Sequence, residues 1–70
     1  MTVYAFYVRP YGPGVKCERI EAPDTLHPST VAENYPHPGY VCVAAWKDED
    51  MQARGYTPET IAALYEGAPR

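Results

Sequence analysis

The chain has 70 residues, a formal net charge of −3, and hydrophobic and aromatic contents of 46% and 13%. This length predicts one domain, 1–70, and the apolar content is too high for a disordered segment. Only 6 residues are lysine or arginine, which argues against nucleic acid and anionic membranes as partners, since both bind clusters of positive charge.

Targeting signals and cysteine usage indicate a cytoplasmic protein. No apolar run approaches the roughly 20 residues that span a bilayer, and no basic residue precedes the apolar stretch near the amino terminus, as it would in a signal peptide. Two cysteines are too few for a disulfide-rich secreted scaffold, so we expect both thiols to be reduced.

The first half of the chain predicts a β-hairpin. Residues 2–9 are rich in β-branched and aromatic side chains and are apolar on both faces, which is typical of a central strand. The segment 10–14 is rich in proline and glycine and predicts a turn. A second strand at 15–22 carries four charged side chains, which suits the edge of a sheet.

A helix and a third strand are predicted next. Pro28 suits the first turn of a helix over 28–35, although Thr30 and Glu33 have the spacing of a capping box and allow a later start. Val31, Ala32 and Tyr35 would share its apolar face. Residues 40–47 then form a clear apolar strand.

The last third predicts a helical turn and a helix. Asp48 is the expected cap of the turn and Gly55 its stop. The helix has Thr57 as its cap, Pro58 at its first position and Gly67 at its end. Its apolar stripe is predicted to consist of Ile61, Leu64 and Tyr65.

These elements predict an α+β fold with the order β-β-α-β-α. If the first two strands form a hairpin and the helix returns the chain for the third, the two-faced first strand lies in the middle. The expected fold is therefore a small, three-stranded, mainly antiparallel sheet of order 2-1-3 with two short helices. The pattern leaves open whether the helices cover one face of the sheet or both.

Cysteine and histidine residues raise the question of a metal site or a disulfide bond. The spacings between Cys17, His27, His37 and Cys42 are ten, ten and five residues, unlike the close ligand pairs of structural zinc sites. The predicted strand order also separates Cys17 from Cys42 by a whole strand, too far for a disulfide bond. We therefore predict no cofactor and two buried free thiols, and keep a metal site as a remote alternative.

Other chemistry finds little support in the sequence. The chain has no nucleophile elbow, phosphate-binding loop or His-Glu-x-x-His motif, and the chain is too short for a walled substrate cleft, so we predict that it is not an enzyme. Residues 48–66 have the outline of a helix-turn-helix, but the second helix presents Glu59, Thr60 and Glu66 where a DNA-reading helix needs donors.

The strongest functional signal is the acidic run Asp48, Glu49 and Asp50. Residues 1–47 are neutral, whereas residues 48–70 carry the whole net charge. Acids at a helix start are accounted for by the helix dipole, but three in a row exceed what one cap requires. With Tyr56 beside them they predict a surface that binds a basic protein, and Tyr11 in the turn is a further predicted contact.

The function predicted from the sequence is therefore a small, acidic, non-enzymatic protein-binding module. Proteins of this kind occur as accessory proteins of phages and other mobile elements, where they inhibit a host protein by docking on a basic surface, which is an association by kind. The alternative is a small structural homo-oligomer that buries the apolar excess of its sheet in a self-interface.

Overall fold

The structure is a computed structural model, and it describes residues 1–66. Each predicted strand is present, and the acidic helical turn is a six-residue helix of its own, so the described part contains three helices. The elements are β1 (Thr2–Val8), β2 (Val15–Glu21), α1 (Pro28–Glu33), β3 (Val41–Lys47), α2 (Asp48–Ala53) and α3 (Pro58–Glu66).

The sheet has the order β2-β1-β3, as predicted, and β1 is antiparallel to both neighbours. The hairpin of β1 and β2 pairs without interruption from Thr2↔Glu21 to Val8↔Val15. The β1–β3 ladder has one irregularity, because Phe6 pairs with Ala44 while Tyr7 pairs with Cys42. Val43 is therefore the extra residue of a β-bulge in β3.

Helices cover both faces of the sheet, which settles the question that the sequence pattern left open. On one face α1 contributes Val31 and Ala32 to a buried cluster around β1. On the other face α2 contributes Met51 and α3 contributes Ile61, both packed against Phe6. The two-faced β1 is thus buried on both sides, which is why its alternating residues are all apolar.

The helix caps agree with the sequence for α3 but not for α2. The hydroxyl of Thr57 accepts a hydrogen bond from the Thr60 backbone N–H at 3.1 Å, as predicted. The prediction that Asp48 caps α2 is wrong, because Lys47 occupies the cap position without a side-chain hydrogen bond. Asp48 is the first helical residue, and its carboxylate accepts a hydrogen bond from Gln52 Nε2 at 2.9 Å.

The first helix begins at Pro28, the earlier of the two predicted starts. His27 is its cap and accepts a hydrogen bond from the Ser29 backbone N–H at its Nδ1, 3.2 Å away. The helix ends at Glu33, so Tyr35 lies beyond it and its side chain is half-exposed. The predicted face of Val31, Ala32 and Tyr35 is therefore correct for the first two residues and wrong for the third.

Three further predictions concern the last helix and the cysteines. Leu64 does not complete the apolar stripe of α3, because it is 69% exposed, whereas Ile61 is buried. The predicted stop at Gly67 lies outside the described residues. The prediction of buried thiols is wrong: Cys17 and Cys42 are both exposed, and they lie on the two edge strands of the sheet.

Candidate protein-binding surface

The acidic turn, which we define as Asp48, Glu49 and Asp50, forms the first turn of α2. It follows β3 without a loop, so the end of an edge strand fixes its position. Asp48 is half-buried and the other two acids are exposed. Among residues 1–66 no cation forms an ion pair with any of the three. Their charge is therefore compensated mainly by the amino-terminal dipole of a short helix.

The three carboxylates do not point in one direction. Asp48 and Glu49 line a concavity of about 360 Å³ together with Met1, Asp24 and Lys47. In that concavity the amino-terminal ammonium lies 2.9 Å from the Asp24 carboxylate, and this hydrogen bond holds the pKa of Asp24 below its ordinary value of 3.8. The charges there are mixed, so this side of the acidic turn is partly neutralised.

Asp50 lies on the other side, in a concavity of about 490 Å³ that it shares with Trp46, Leu26 and His27. Trp46 is the last apolar residue of β3 and the only tryptophan of the chain. Asp50 thus brings a negative charge to the same concavity as the largest aromatic side chain.

Trp46 also lines a second concavity, which we call the aromatic groove. It has a volume of about 380 Å³, and its lining residues are Trp46, Tyr56, Ile61, Leu64 and Tyr65. The rings of Trp46 and Tyr56 meet edge to face, with centroids 6.0 Å apart. The groove has an apolar floor at buried Ile61 and an exposed rim at Leu64 and Tyr56.

Arg54 is the cation nearest the aromatic groove among the described contacts. Its guanidinium carbon lies 5.5 Å from the centre of the Trp46 ring, within the range of a cation–π interaction. The Trp46 ring therefore already attracts one guanidinium group, and the neighbouring concavity carries both the Asp50 carboxylate and the Lys47 ammonium. This arrangement can accept a partner's arginine or lysine on the same aromatic side chain.

The predicted contact residues are only partly brought together. Asp50 and Tyr56 lie on either side of Trp46, whereas Tyr11 lies in the turn at the opposite end of the sheet and is 99% exposed. The seven residues of β1 separate that turn from the acidic turn by about 20 Å at 3.3 Å per residue. Tyr11 stays a separate prediction, outside the surface around Trp46.

Sequence reasoning missed Trp46 as the residue that joins these features. It was placed correctly in the third strand, and its position directly before the acidic run was the available signal. The fold adds what spacing does not show, namely that α3 packs on the same face of the sheet as Trp46, so that Tyr56 and Tyr65 line one groove with it.

The cysteines and histidines are dispersed. Cys17 pairs with Phe6 and Cys42 with Tyr7, so the thiols lie on opposite edge strands and on opposite faces of the sheet. His37 packs against the Tyr7 ring with centroids 4.4 Å apart. Within residues 1–66 no three histidine, cysteine or acidic side chains come close enough to share a metal ion.

The electrostatic surroundings of Cys17 differ from those of a reactive thiol. Partial burial raises the pKa of the Cys17 thiol above its ordinary value of 9.0, and the nearby carboxylates of Glu59 and Glu18 raise it further. A nucleophilic cysteine needs the opposite shift, because the thiolate is the reactive form.

No helix of the described residues has the length and apolarity needed to span a membrane. Comparison of the chain with protein-family models, with curated proteins and with solved structures finds no match. The case for a function therefore depends on the geometry of the surface around Trp46.

Proposed function

We propose that this chain is a small, acidic, non-enzymatic module that binds a basic segment of another protein at the surface around Trp46. The observation that supports the proposal best is the position of Trp46 between Asp50 and the aromatic groove. An aromatic side chain flanked by a carboxylate and an apolar groove matches a segment that carries both a cation and an apolar side chain.

Charge supplies the first part of the recognition. The acidic turn has no ion-pair partner within residues 1–66, so a basic partner gains the Asp50 carboxylate beside Trp46, and the attraction of Asp48 and Glu49 at longer range, without breaking an existing ion pair there. Exposed charge pairs contribute about 0.2–1 kcal/mol each. Contributions of this size steer a partner and set its orientation more than they set the affinity.

The aromatic groove supplies the second part. Its exposed rim at Leu64 and Tyr56 is apolar surface that a partner's aliphatic side chain can cover. Burying a leucine side chain stabilises a complex by about 1.5–3 kcal/mol before the cost of ordering it. The groove therefore accounts for affinity that the exposed charges alone do not supply.

A peptide titration tests the proposal directly, because Trp46 is the only tryptophan and its fluorescence reports on this surface. The probe is a lysine- and arginine-rich peptide that carries one leucine and no tryptophan. We expect it to change the Trp46 emission saturably. Two comparison peptides, one with alanine in place of leucine and one with glutamate in place of the basic residues, should bind more weakly.

Charge-reversal variants distinguish the effect of the acidic turn on peptide binding from the effect of the protein's net charge. We expect Asp48→Lys/Glu49→Lys/Asp50→Lys to lose about 1–2 kcal/mol of binding free energy, which is roughly a 5- to 30-fold increase in Kd. The matched control reverses three acids elsewhere, Glu21, Glu33 and Glu66, which changes the net charge equally. Equal losses in both variants would show that only the overall charge matters and would refute the assigned surface.

A substitution that strengthens binding gives a further test. Arg54→Gln removes the cation that lies over the Trp46 ring, so it frees an aromatic face and makes the surface more acidic. We expect the basic peptide to bind this variant more tightly than the parent protein. A structural role of Arg54 alone would predict no gain, and a weaker complex would contradict the proposed recognition.

The proposed biological setting is a phage or another mobile element, in which the module inhibits a host protein by occupying a basic surface. Its support is the small size and the acidic charge of the chain, an association by kind. Expression of the parent protein in a bacterial host should impair growth, and expression of the triple lysine variant should not. Equal growth with both proteins would contradict inhibition through the acidic turn.

A further inference from the structure

The outer edge of β3 differs from the other edge of the sheet. The edge strand β2 carries Lys16, Glu18, Arg19 and Glu21 along its length, and charged side chains of this kind prevent unwanted pairing. In β3 the stretch 41–46 contains no charged residue, and the first charge is Lys47 at its end. One edge of the sheet is thus protected by charge and the other is not.

The backbone of this edge is also free among the described residues. The strand order gives β3 one neighbour, β1, so its outward N–H and C=O groups have no second strand to pair with. No loop or helix of residues 1–66 forms a backbone hydrogen bond with Val41–Lys47 outside the sheet ladder. An antiparallel strand alternates its hydrogen bonds between its two sides, so about half of these groups face outward.

Helix α1 packs against β3 but leaves open space beside the strand. A concavity of about 270 Å³ lies between the Cys42–Ala45 stretch and the α1 residues Ser29 and Glu33. A second concavity of about 490 Å³ continues along Ala45–Lys47. Val41 and Val43 are 50% and 39% exposed at this edge. The strand thus presents free backbone groups along its outer edge and exposed apolar side chains in its first half.

We propose that β3 pairs with β3 of a second copy of this chain, antiparallel about a two-fold axis, to form a continuous six-stranded sheet. The two-fold arrangement places the amino end of one β3 beside the carboxyl end of the other. At the amino end Tyr40 is contacted by the cations Arg9 and Lys16. The carboxyl end leads directly into the acidic turn. The two ends therefore carry opposite charges, and self-pairing brings them together.

The size of the interface sets the expected strength. β3 has 7 residues, fewer than the about 20–30 residues that each side of a standard stable interface contributes. We therefore expect a dimer that dissociates on dilution. The bulge at Val43 is one means by which edge strands limit pairing, which is a second reason to expect a weak dimer.

Light scattering of the purified protein over a range of concentrations measures the association. The mass should rise from 7.8 kDa towards twice that value as concentration increases. Hydrogen exchange should slow in β3 at high concentration and stay unchanged in β2. A mass of 7.8 kDa at every concentration would overturn the proposal, and so would a dimer in which β2 becomes protected instead.

Two lysine variants locate the interface. Val43→Lys places a charge on the free edge and should lose the dimer, whereas Leu64→Lys makes the same kind of change at an exposed residue of α3 and should keep it. Val41→Lys gives a second variant at the edge if Val43→Lys disturbs the bulge. Dimers that survive both edge variants would refute pairing through β3.

This inference and the proposed function share the acidic turn and the concavity of Trp46 and Asp50, so the dimer and the basic peptide compete, but different variants test them. Val43→Lys leaves the acidic turn and the aromatic groove unaltered, so the basic peptide should still change the Trp46 emission of this variant. Loss of the dimer and loss of peptide binding are therefore separate results, and either one can fail alone.

Discussion

The hydroxyl of Tyr7 provides a sharp test of how α1 is held on the sheet. Its side chain is 1% exposed, and its hydroxyl donates a hydrogen bond of 2.8 Å to the Tyr35 carbonyl, just beyond the end of α1. The Ala32 carbonyl lies 3.5 Å away, at the limit of a hydrogen bond. Tyr7 thus ties the central strand to the chain that leaves α1.

Tyr7→Phe removes this hydroxyl and keeps the ring. A hydrogen bond contributes a net 0.5–1.5 kcal/mol, roughly, and an acceptor left without any partner costs more. Tyr35 is half-exposed, so water can reach its carbonyl in the variant. We therefore expect a loss of about 1 kcal/mol in the free energy of unfolding, or about 4–8 °C in Tm for a domain of this size.

Urea unfolding followed by circular dichroism measures this loss, and Tyr4→Phe is the matched control. Tyr4 lies on the opposite face of β1, and no hydrogen bond of its hydroxyl is found within residues 1–66. The control keeps its ring in place and loses no hydrogen bond of the described residues, so it should be within about 0.5 kcal/mol of the parent protein. Equal losses in both variants would refute the role assigned to the Tyr7–Tyr35 hydrogen bond.

The same residue gives a prediction in alkaline solution. Burial raises the pKa of Tyr7 above its ordinary value of 10.0, and nearby negative groups raise it further. The unfolded chain therefore loses the Tyr7 proton first, and the stability linked to this proton is complete below pH 10.0 and declines above it. Tyr7→Phe should unfold with less alkaline destabilisation than the parent protein, and an identical decline in both would contradict this.

Two further predictions concern Cys17 and Gly55. In a Cys42→Ser variant, the rate of Cys17 alkylation should reach half its maximum above pH 9.0, because partial burial and the Glu59 carboxylate raise the pKa of the thiol. Glu59→Gln should speed the reaction at fixed pH, and the control Glu66→Gln should not. Gly55 has a φ of +75° at the end of α2, and an added Cβ meets no atom within 4 Å. Gly55→Ala should therefore cost about 1 kcal/mol through backbone strain alone, and Gly55→Asn should cost less, as thermal unfolding of the two variants would show.

The strand order was predictable because the residues of β1 are apolar on both faces of the strand and are buried on both faces in the structure. A strand that is apolar on both faces must be covered on both sides, which places it in the middle of a three-stranded sheet. The charged β2 then belongs at an edge. The turn at 10–14 joins the two as a hairpin, so little freedom remained for the third strand.

Burial at the edges of the fold was less predictable, because it depends on the reach of the helices. α1 ends at Glu33, so Tyr35 falls outside the face that its spacing suggests. Leu64 has helical spacing with Ile61, but α3 lies at the margin of the sheet and leaves it exposed. The cysteines are exposed although α3 packs against β2 and α1 against β3, so a helix beside an edge strand does not by itself bury a small residue of that strand.

The negative charge of the candidate surface was predictable from the sequence, whereas the central position of Trp46 was not. The acidic run and Tyr56 are visible in the sequence, whereas their relation to Trp46 depends on the turn at Gly55, which joins α2 to α3. The hydrophobic periodicity of β3 does not indicate that Trp46 lines a groove with residues of α3.

The salt dependence of peptide binding tests the central claim most directly. Titration of Trp46 fluorescence with the basic leucine peptide is repeated from about 0.1 M to about 1 M salt, over which the screening length falls from roughly 10 Å to roughly 3 Å. We predict that Kd rises steeply for the parent protein and for the control variant at Glu21, Glu33 and Glu66. The triple lysine variant of the acidic turn should show little change. The same salt dependence in all three proteins would contradict recognition of a basic partner at this surface.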